Sequence, residues 1–256
     1  MQKGEKMYQK ERLNGILKIL ETYGYVPVKH LVSQMHYSNA TINRDLNELE
    51  AQGLIKRSYG GVELLETAEM KLPFRYHKMH VEKIKLAQAA ADLVQDGDTV
   101  FIDAATTTEP MADFLLEKKD ITVITNNLAI VMRLSEHNIK AICLGGKVLE
   151  PPCMLDGLDT VENAEKYHAD KMFFATGYVC EEGGWIGEGT GYFLLHQTMA
   201  KNSQKVFYLA DHEKFERSTG SRRKLMDFSA LSGMISDREV CESVKKKYPN
   251  MQFIKV

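Results

Sequence analysis

The stretch Ser38-Asn39-Ala40-Thr41-Ile42-Asn43-Arg44-Asp45-Leu46-Asn47-Glu48-Leu49-Glu50-Ala51-Gln52-Gly53 reads as a short amphipathic helix that carries its own start and stop signals. Ser38 suits an N-cap and Gly53 a C′ position. Ile42, Leu46 and Leu49 recur at i, i+4 and i+7 and predict one narrow apolar face. The opposite face carries Asn39, Thr41, Asn43, Arg44 and Asn47, crowded towards the N-terminal half. Short amides, hydroxyls and an Arg are the groups that meet base edges and phosphates in a major groove, with Ser38 at the helix entrance. Past Gly53, the basic run Leu54-Ile55-Lys56-Arg57-Ser58, a turn at Tyr59-Gly60-Gly61 and Val62-Glu63-Leu64-Leu65 predict a hairpin. Such a wing lies along the sugar-phosphate backbone, so Lys56, Arg57 and Tyr59 join the candidate contacts.

Working upstream, Leu13, Ile16, Leu17 and Leu20 mark one helix at i, i+3, i+4 and i+7. Val28, Leu31, Val32 and Met35 mark a second with the same spacing, with Pro27 in its first turn. Only His36-Tyr37 separates it from Ser38. Two short helices joined by a tight turn, the second polar-faced and followed by a hairpin, predict a winged helix-turn-helix. Double-stranded DNA is the expected partner.

The remaining chain predicts a different architecture. Residues 74–96 read as a helix with Ile84, Ala87, Ala91 and Val94 on one face. Then short apolar runs alternate with small polar residues and helices: Thr99–Ile102, Ile121–Ile124, Ala141–Leu144, Met172–Ala175, Val206–Leu209 and Gly233–Ser236. Continuous apolar strands between helices imply a mostly parallel sheet covered on both faces, a doubly wound α/β domain. The fold class is therefore α/β, with residues 1–65 as the DNA-binding domain, 66–80 as a linker and 81–256 as a ligand-binding and oligomerisation domain.

Ligands of such sheets bind outside the carboxyl ends of the strands. Those ends are polar here. The first runs into Asp103-Ala104-Ala105-Thr106-Thr107-Thr108, and Glu109-Pro110 then open a helix with Met111, Phe114 and Leu115. Three hydroxyls and backbone N–H groups at a helix N-terminus form an anion site, and Asp103 is placed to accept sugar hydroxyl protons. The other strands end in Thr125-Asn126-Asn127, Gly145-Gly146, Thr176-Gly177 and Asp211-His212-Glu213-Lys214. Asp103, Thr106, Thr107, Thr108, Asn126, Gly145, Gly177, Asp211 and Lys214 are thus the candidate effector contacts, with Lys214 as the counter-charge for a phosphate.

Composition bounds the reading. At 256 residues and 44% apolar content the chain holds a small and a large domain. Residues 1–80 carry 12 Lys and Arg against 9 Asp and Glu, and the rest is acidic, a balance suited to DNA contact by one end. No apolar run approaches a membrane span and the polar start lacks a signal-peptide core, so a cytoplasmic protein without membrane contact is expected. Cys143, Cys153, Cys180 and Cys241 are scattered, which predicts reduced thiols. His77 and His80 stand three apart with no Cys or third His nearby, so no metal site and no cofactor are expected.

Thr41-Ile42-Asn43-Arg44-Asp45-Leu46, Leu49-Glu50, Gly53 and Arg57-Ser58-Tyr59-Gly60-Gly61 resemble the N-terminal signature of the DeoR family of sugar-metabolism regulators. Asp96–Asp103 with Thr106-Thr107-Thr108, Thr125–Leu128, Leu144-Gly145-Gly146, Asp170-Lys171 with Phe174, and Leu209-Ala210-Asp211 with Lys214-Phe215 resemble its C-terminal effector domain, itself similar to sugar-phosphate isomerases. The chain departs from the family at Asn43, where a second Arg is usual, and at Tyr59, Val62 and Ala105. The Gly-rich run Glu182–Tyr192, with the only Trp, is also unusual; Trp185 packs or stacks on a sugar, and Glu188 is exposed or binds hydroxyls.

The resemblance implies a repressor of a carbohydrate-metabolism operon, a homodimer or homotetramer, relieved by a phosphorylated sugar or sugar derivative that the threonine loop and Lys214 hold. The competing expectation is a sugar-phosphate isomerase-like enzyme with an appended DNA-binding head, using Asp103, Glu188, Asp211 and Lys214. A third makes the α/β domain an oligomerisation module alone.

Overall fold

The computed structural model describes residues 9–23, 25–52, 54–58, 60–64, 79–149, 154–188, 193–216 and 223–256. The chain divides into two compact units, Met1–Lys78 and Met79–Val256. Gly53, Tyr59, His77 and Cys153, singled out above, lie outside the described residues, as does most of the expected linker.

The first unit runs α1 (Gln9–Tyr23), β1 (Tyr25–Pro27), α2 (Val28–Met35), α3 (Asn39–Ala51), β2 (Ile55–Ser58) and β3 (Gly61–Leu64). The apolar spacings become its core: Ile16 and Leu20 of α1, Leu31 of α2, and Ile42, Leu46 and Leu49 of α3 are all buried, closed by Val26, Ile55 and Val62 of the strands. Each such side chain contributes about 1.5–3 kcal/mol by leaving water. Ser38 caps α3, its hydroxyl oxygen accepting from the Thr41 N–H at 3.1 Å. His36 ends α2 in the left-handed conformation at φ 57°, which makes the tight turn between the two helices.

Two features depart from the expectation. Pro27 is the N-cap of α2 and not a first-turn residue, because it also ends a strand. That strand, β1, pairs antiparallel with β3 through Tyr25↔Glu63, Val26↔Val62 and Pro27↔Gly61, so the wing is a three-stranded sheet in the order β1-β3-β2. A three-residue strand between helices is too short to show a period of two. Its pairing explains Gly61: a Cβ there would stand 2.4 Å from the Tyr25 ring.

The second unit runs α4 (His80–Asp92), β4 (Thr99–Ile102), α5 (Met111–Phe114), β5 (Thr122–Thr125), α6 (Leu128–Ser135), β6 (Lys140–Cys143), β7 (Lys147–Leu149), β8 (Met154–Asp156), α7 (Leu158–Ala164), β9 (Ala169–Phe174), β10 (Tyr178–Cys180), β11 (Trp185–Glu188), α8 (Phe193–Lys201), β12 (Ser203–Ala210), α9 (Glu213–Glu216), β13 (Arg223–Asp227), β14 (Gly233–Ser236), α10 (Glu242–Lys247) and β15 (Gln252–Lys255). Seven strands form one sheet in the order β15-β14-β12-β9-β4-β5-β6, and every pairing in it is parallel. Side chains alternate between two cores, one per face. Phe101, Met172, Phe174 and Tyr208 enter one; Val100, Ile102, Phe173 and Phe207 enter the other. Burial on both faces is why the strands read as unbroken apolar runs.

The chain reverses its direction of travel across the sheet between β4 and β9. The carboxyl ends of these two strands therefore flank the crevice where doubly wound sheets take ligands. The seventh strand, β15, was not among the six runs, since only its centre is apolar and it forms an edge. An antiparallel layer β10-β11-β13 was also not foreseen. Trp185 sits in it, half-buried, its ring 5.4 Å from that of Tyr178 and against Gly183, so the indole packs. Among the described residues no helix is long and apolar enough to cross a membrane, and Cys143, Cys180 and Cys241 are free thiols.

Candidate functional site

On α3 the polar face is built from both ends. Asn43 Nδ2 donates to the Asn39 backbone carbonyl at 2.9 Å and to Asn39 Oδ1 at 2.7 Å. Arg44 and Asn47 stand exposed beside them, and the Thr41 hydroxyl lies 2.9 Å from that of Ser38. Lys56 projects from β2 into solvent, 3.9 Å from Glu63. Arg57 does something else: its guanidinium donates to the Asn43 carbonyl at 3.1 Å and lies 3.6 Å from Glu50, so it braces α3 against the wing.

Beneath this face lies an ion pair that the sequence did not disclose. Asp45 is fully buried and accepts from Arg12 of α1 at 2.8 and 3.0 Å, a two-pronged contact. The hydrogen bond to Asp45 holds the Arg12 guanidinium above its ordinary pKa against the opposing effect of burial. Arg12 also stacks over Tyr37, 5.2 Å from the ring centroid. The recognition helix is thus fixed to α1 through charge as well as packing.

In the second unit the threonine loop at the end of β4 is almost wholly buried. Thr106 Oγ1 accepts from Lys83 Nζ at 3.1 Å, and Thr107 Oγ1 accepts from Lys214 Nζ at 3.2 Å. Two buried ammonium groups, one from α4 and one from α9, therefore meet neighbouring hydroxyls of one loop. Lys214 Nζ also donates to the Leu209 carbonyl at 3.1 Å and lies 3.7 Å from Asp211. Lys83 was not among the expected site residues. Helix α4 buries Lys83, Leu86, Ala87, Ala90 and Ala91. Of the expected face Ala87, Ala91 and Val94 are buried and Ile84 is half-buried, so the stripe is wider than expected and takes in Lys83. A charged residue inside an otherwise apolar stripe was the available signal.

Asp103, at the carboxyl end of β4, is buried and faces inward. It accepts from the Ala105 N–H at 3.3 Å, the Thr108 hydroxyl, the Ala175 N–H at 3.1 Å and His196 Nε2 at 3.1 Å. The contact with His196 Nε2 joins two buried side chains, one on α8 and one at the end of β4. Four donors occupy its lone pairs, and they come from the threonine loop, the exit of β9 and α8. The helix expected to supply a dipole is the single turn Met111–Phe114; the positive charge at the loop comes from the two lysines instead.

The other strand ends are held separately. Asn126 Nδ2 donates to the Leu155 carbonyl at 2.9 Å, while its buried Oδ1 has no partner among the described residues. Gly145, at φ 69°, accepts from Thr160 Oγ1 at 2.8 Å. Neither reaches the lysines directly, although Asn127 Nδ2 donates to Glu109 at 2.8 Å and ties the end of β5 to the loop. Gly177 lies half-exposed after Thr176, whose hydroxyl is 3.0 Å from that of Tyr208. At the neighbouring end, His212 Nδ1 meets Asp237 Oδ2 at 2.6 Å across the tips of β12 and β14. That hydrogen bond raises the His212 pKa, with the charges of Asp237, Asp211 and Glu213 acting the same way against burial.

Residues 12–68 match the DeoR-like helix-turn-helix domain, and residues 78–238 match the DeoR C terminal sensor domain. The chain belongs to the DeoR family. Family membership makes it a DNA-binding transcription regulator with a sensor domain. It is 32% identical to the HTH-type transcriptional repressor GlcR of Bacillus subtilis, covering 91% of this chain and 90% of that protein. It is 30% identical to the glycerol-3-phosphate regulon repressor of Escherichia coli K12, covering 83% and 85%. To the lactose phosphotransferase system repressor of Lactococcus lactis the identity is 32%, over 82% and 85%. Among solved structures, a ribose 5-phosphate isomerase A from Methanocaldococcus jannaschii aligns with 54% of this chain and 55% of its own, at 18% identity and a TM-score of 0.39.

Proposed function

We propose that this DeoR-family regulator represses a carbohydrate-related operon and releases it when a phosphorylated sugar or sugar derivative seats its phosphate on the threonine loop. One observation carries the reading: Lys83 and Lys214, both buried, converge on the adjacent hydroxyls of Thr106 and Thr107. Two ammonium groups and two hydroxyls at a strand-end crevice suit a dianionic phosphate, whose oxygens accept charge-assisted hydrogen bonds. Thr108 and Asp103 shape the loop, and Asn126, Gly145, Gly177 and Asp211 line the same edge for the sugar. Two relatives named as the glycerol-3-phosphate regulon repressor and the lactose phosphotransferase system repressor agree with the class.

DNA contact is assigned to residues 1–65, with Ser38, Asn39, Thr41, Asn43, Arg44 and Asn47 towards bases and phosphates. Lys56 is assigned to the sugar-phosphate backbone together with the sequence candidate Tyr59, and Arg57 braces the helix. Residues 66–80 link this head to the sensor, residues 81–256. Each head reads one half-site, so the acting form is a homodimer or a homotetramer built as a dimer of dimers. We read the second domain as a sensor and not an enzyme, because the four internal donors on Asp103 leave it no place as a catalytic base. The effector must favour the DNA-incompetent arrangement, since a ligand that binds both equally shifts nothing.

The test is binding of the purified protein to its own promoter fragment with a panel of sugar phosphates and their unphosphorylated counterparts. Release by one phosphorylated compound and not by its parent sugar is the expected result. Promoter binding that no compound changes would sink the sensor reading, and turnover of a sugar phosphate would establish the enzyme.

A further inference from the structure

Asn39 and Asn43 stand one turn apart on the exposed face of α3, and the hydrogen bonds between them fix which atoms they offer. Asn43 Nδ2 donates both to the Asn39 backbone carbonyl and to Asn39 Oδ1, at 2.9 and 2.7 Å. A backbone carbonyl can only accept, so the nitrogen end of the Asn43 amide must be the one turned inward. Both of its amide hydrogens are then engaged, and Oδ1 is left as its outward group. Asn39, with its oxygen taken, offers Nδ2. The turn is held from the other side by Arg57, which donates to the Asn43 carbonyl at 3.1 Å.

We propose that Asn43, locked by Asn39, reads an amino-bearing base edge at one position of each operator half-site, adenine first and cytosine second. The inference rests on the DNA-binding reading above and adds the base class. In the major groove adenine presents a donor at N6 beside an acceptor at N7, and cytosine presents a donor at N4. Guanine presents two acceptors, and thymine an acceptor and a methyl. A fixed outward carbonyl oxygen therefore bonds N6 of adenine or N4 of cytosine and meets guanine O6 or thymine O4 as acceptor against acceptor. Asn39 Nδ2 beside it supplies a donor for N7, so adenine satisfies both ends of the pair and cytosine one. A lone Asn turns its amide over to suit either kind of base; here turning it would sacrifice two hydrogen bonds. The lock converts an adaptable side chain into a selective one.

The experiment measures affinity of the full-length protein for its promoter site carrying every single-base substitution, at one fixed salt concentration. It is done for the wild type, Asn43→Ala and Asn39→Ala. At one position per half-site the wild type should prefer adenine over guanine or thymine by roughly 5- to 100-fold, the range of a good two-point base contact. Asn43→Ala should flatten the preference at that position and leave the others. Asn39→Ala removes one of the two hydrogen bonds that fix the amide, the one to Asn39 Oδ1. It should raise tolerance of guanine there, because turning the amide then sacrifices only the bond to the backbone carbonyl. With wild-type protein, replacing that adenine by purine, which lacks the N6 amino group, should cost most of the preference without any change to the helix. A wild-type preference for guanine or thymine at the position Asn43→Ala relaxes would overturn the inference. So would specific binding in which no position relaxes, and that result leaves DNA binding itself intact. Absence of binding to promoter DNA at low salt removes the parent reading and this one together.

Discussion

Lys83 stands where the period of α4 calls for an alanine or a leucine, and its ammonium is spent on Thr106. Lys83→Met keeps the length and apolar stem of the side chain while removing the charge. Losing one charge-assisted bond of about 1.5–3 kcal/mol to the effector should raise the concentration needed for promoter release by roughly 10- to 100-fold. Promoter affinity without effector should stay near the wild-type value; a gel-shift titration reads both. Arg12 poses the complementary case. Arg12→Met strands the buried Asp45 carboxylate, and breaking one side of a buried pair costs about 3–5 kcal/mol. Thermal unfolding should show a destabilised head, and adding Asp45→Leu should recover most of the loss. Both residues escaped sequence reasoning for one reason. Helical periodicity ranks positions by apolarity, so a charge that is buried with its own partner looks like a break in the pattern.

At the scale of elements, what was legible followed from burial on two faces or one. Central strands such as Phe101 and Phe173 send alternate side chains into both cores, so they appear as unbroken apolar runs. β15 at the sheet edge and β1 beside the wing lack that signature, being half-exposed or three residues long. The strand-end residues Asp103, Thr107 and Lys214 were legible because topology places them together. Their directions were not, since only the folded chain shows that Asp103 faces four internal donors. The tips of β12 and β14 carry a testable link in His212 and Asp237. The folded pKa of His212 is raised, so its contribution to stability is complete below the ordinary imidazole value of about 6.5. It is lost as pH rises through the higher folded value. The stability difference between wild type and His212→Gln, from urea unfolding, should be larger at pH 6 than at pH 9. Equal differences would mean that the charged form of His212 has no part in joining the two tips.

For the molecule as a whole, the proposed dimer turns on the geometry of paired heads on one face of the duplex. Half-sites one helical turn apart are expected for a two-fold dimer. Inserting about five base pairs between them turns one half-site to the far side of the helix and should abolish tight binding, whereas about ten should restore part of it. Electrophoretic mobility shifts with a spacer series check this, and indifference to spacing would count against a two-fold arrangement. The α/β unit also carries its own optical reporter. The chain has a single tryptophan, and Trp185 rests on Tyr178, the residue immediately after Gly177 beyond the end of β9. An indole so placed is a built-in optical gauge. If the proposed effector engages the Gly177 turn, its binding is expected to move the aromatic neighbour and alter the emission, which a fluorescence titration on unmodified protein, with no DNA in the cuvette, would read.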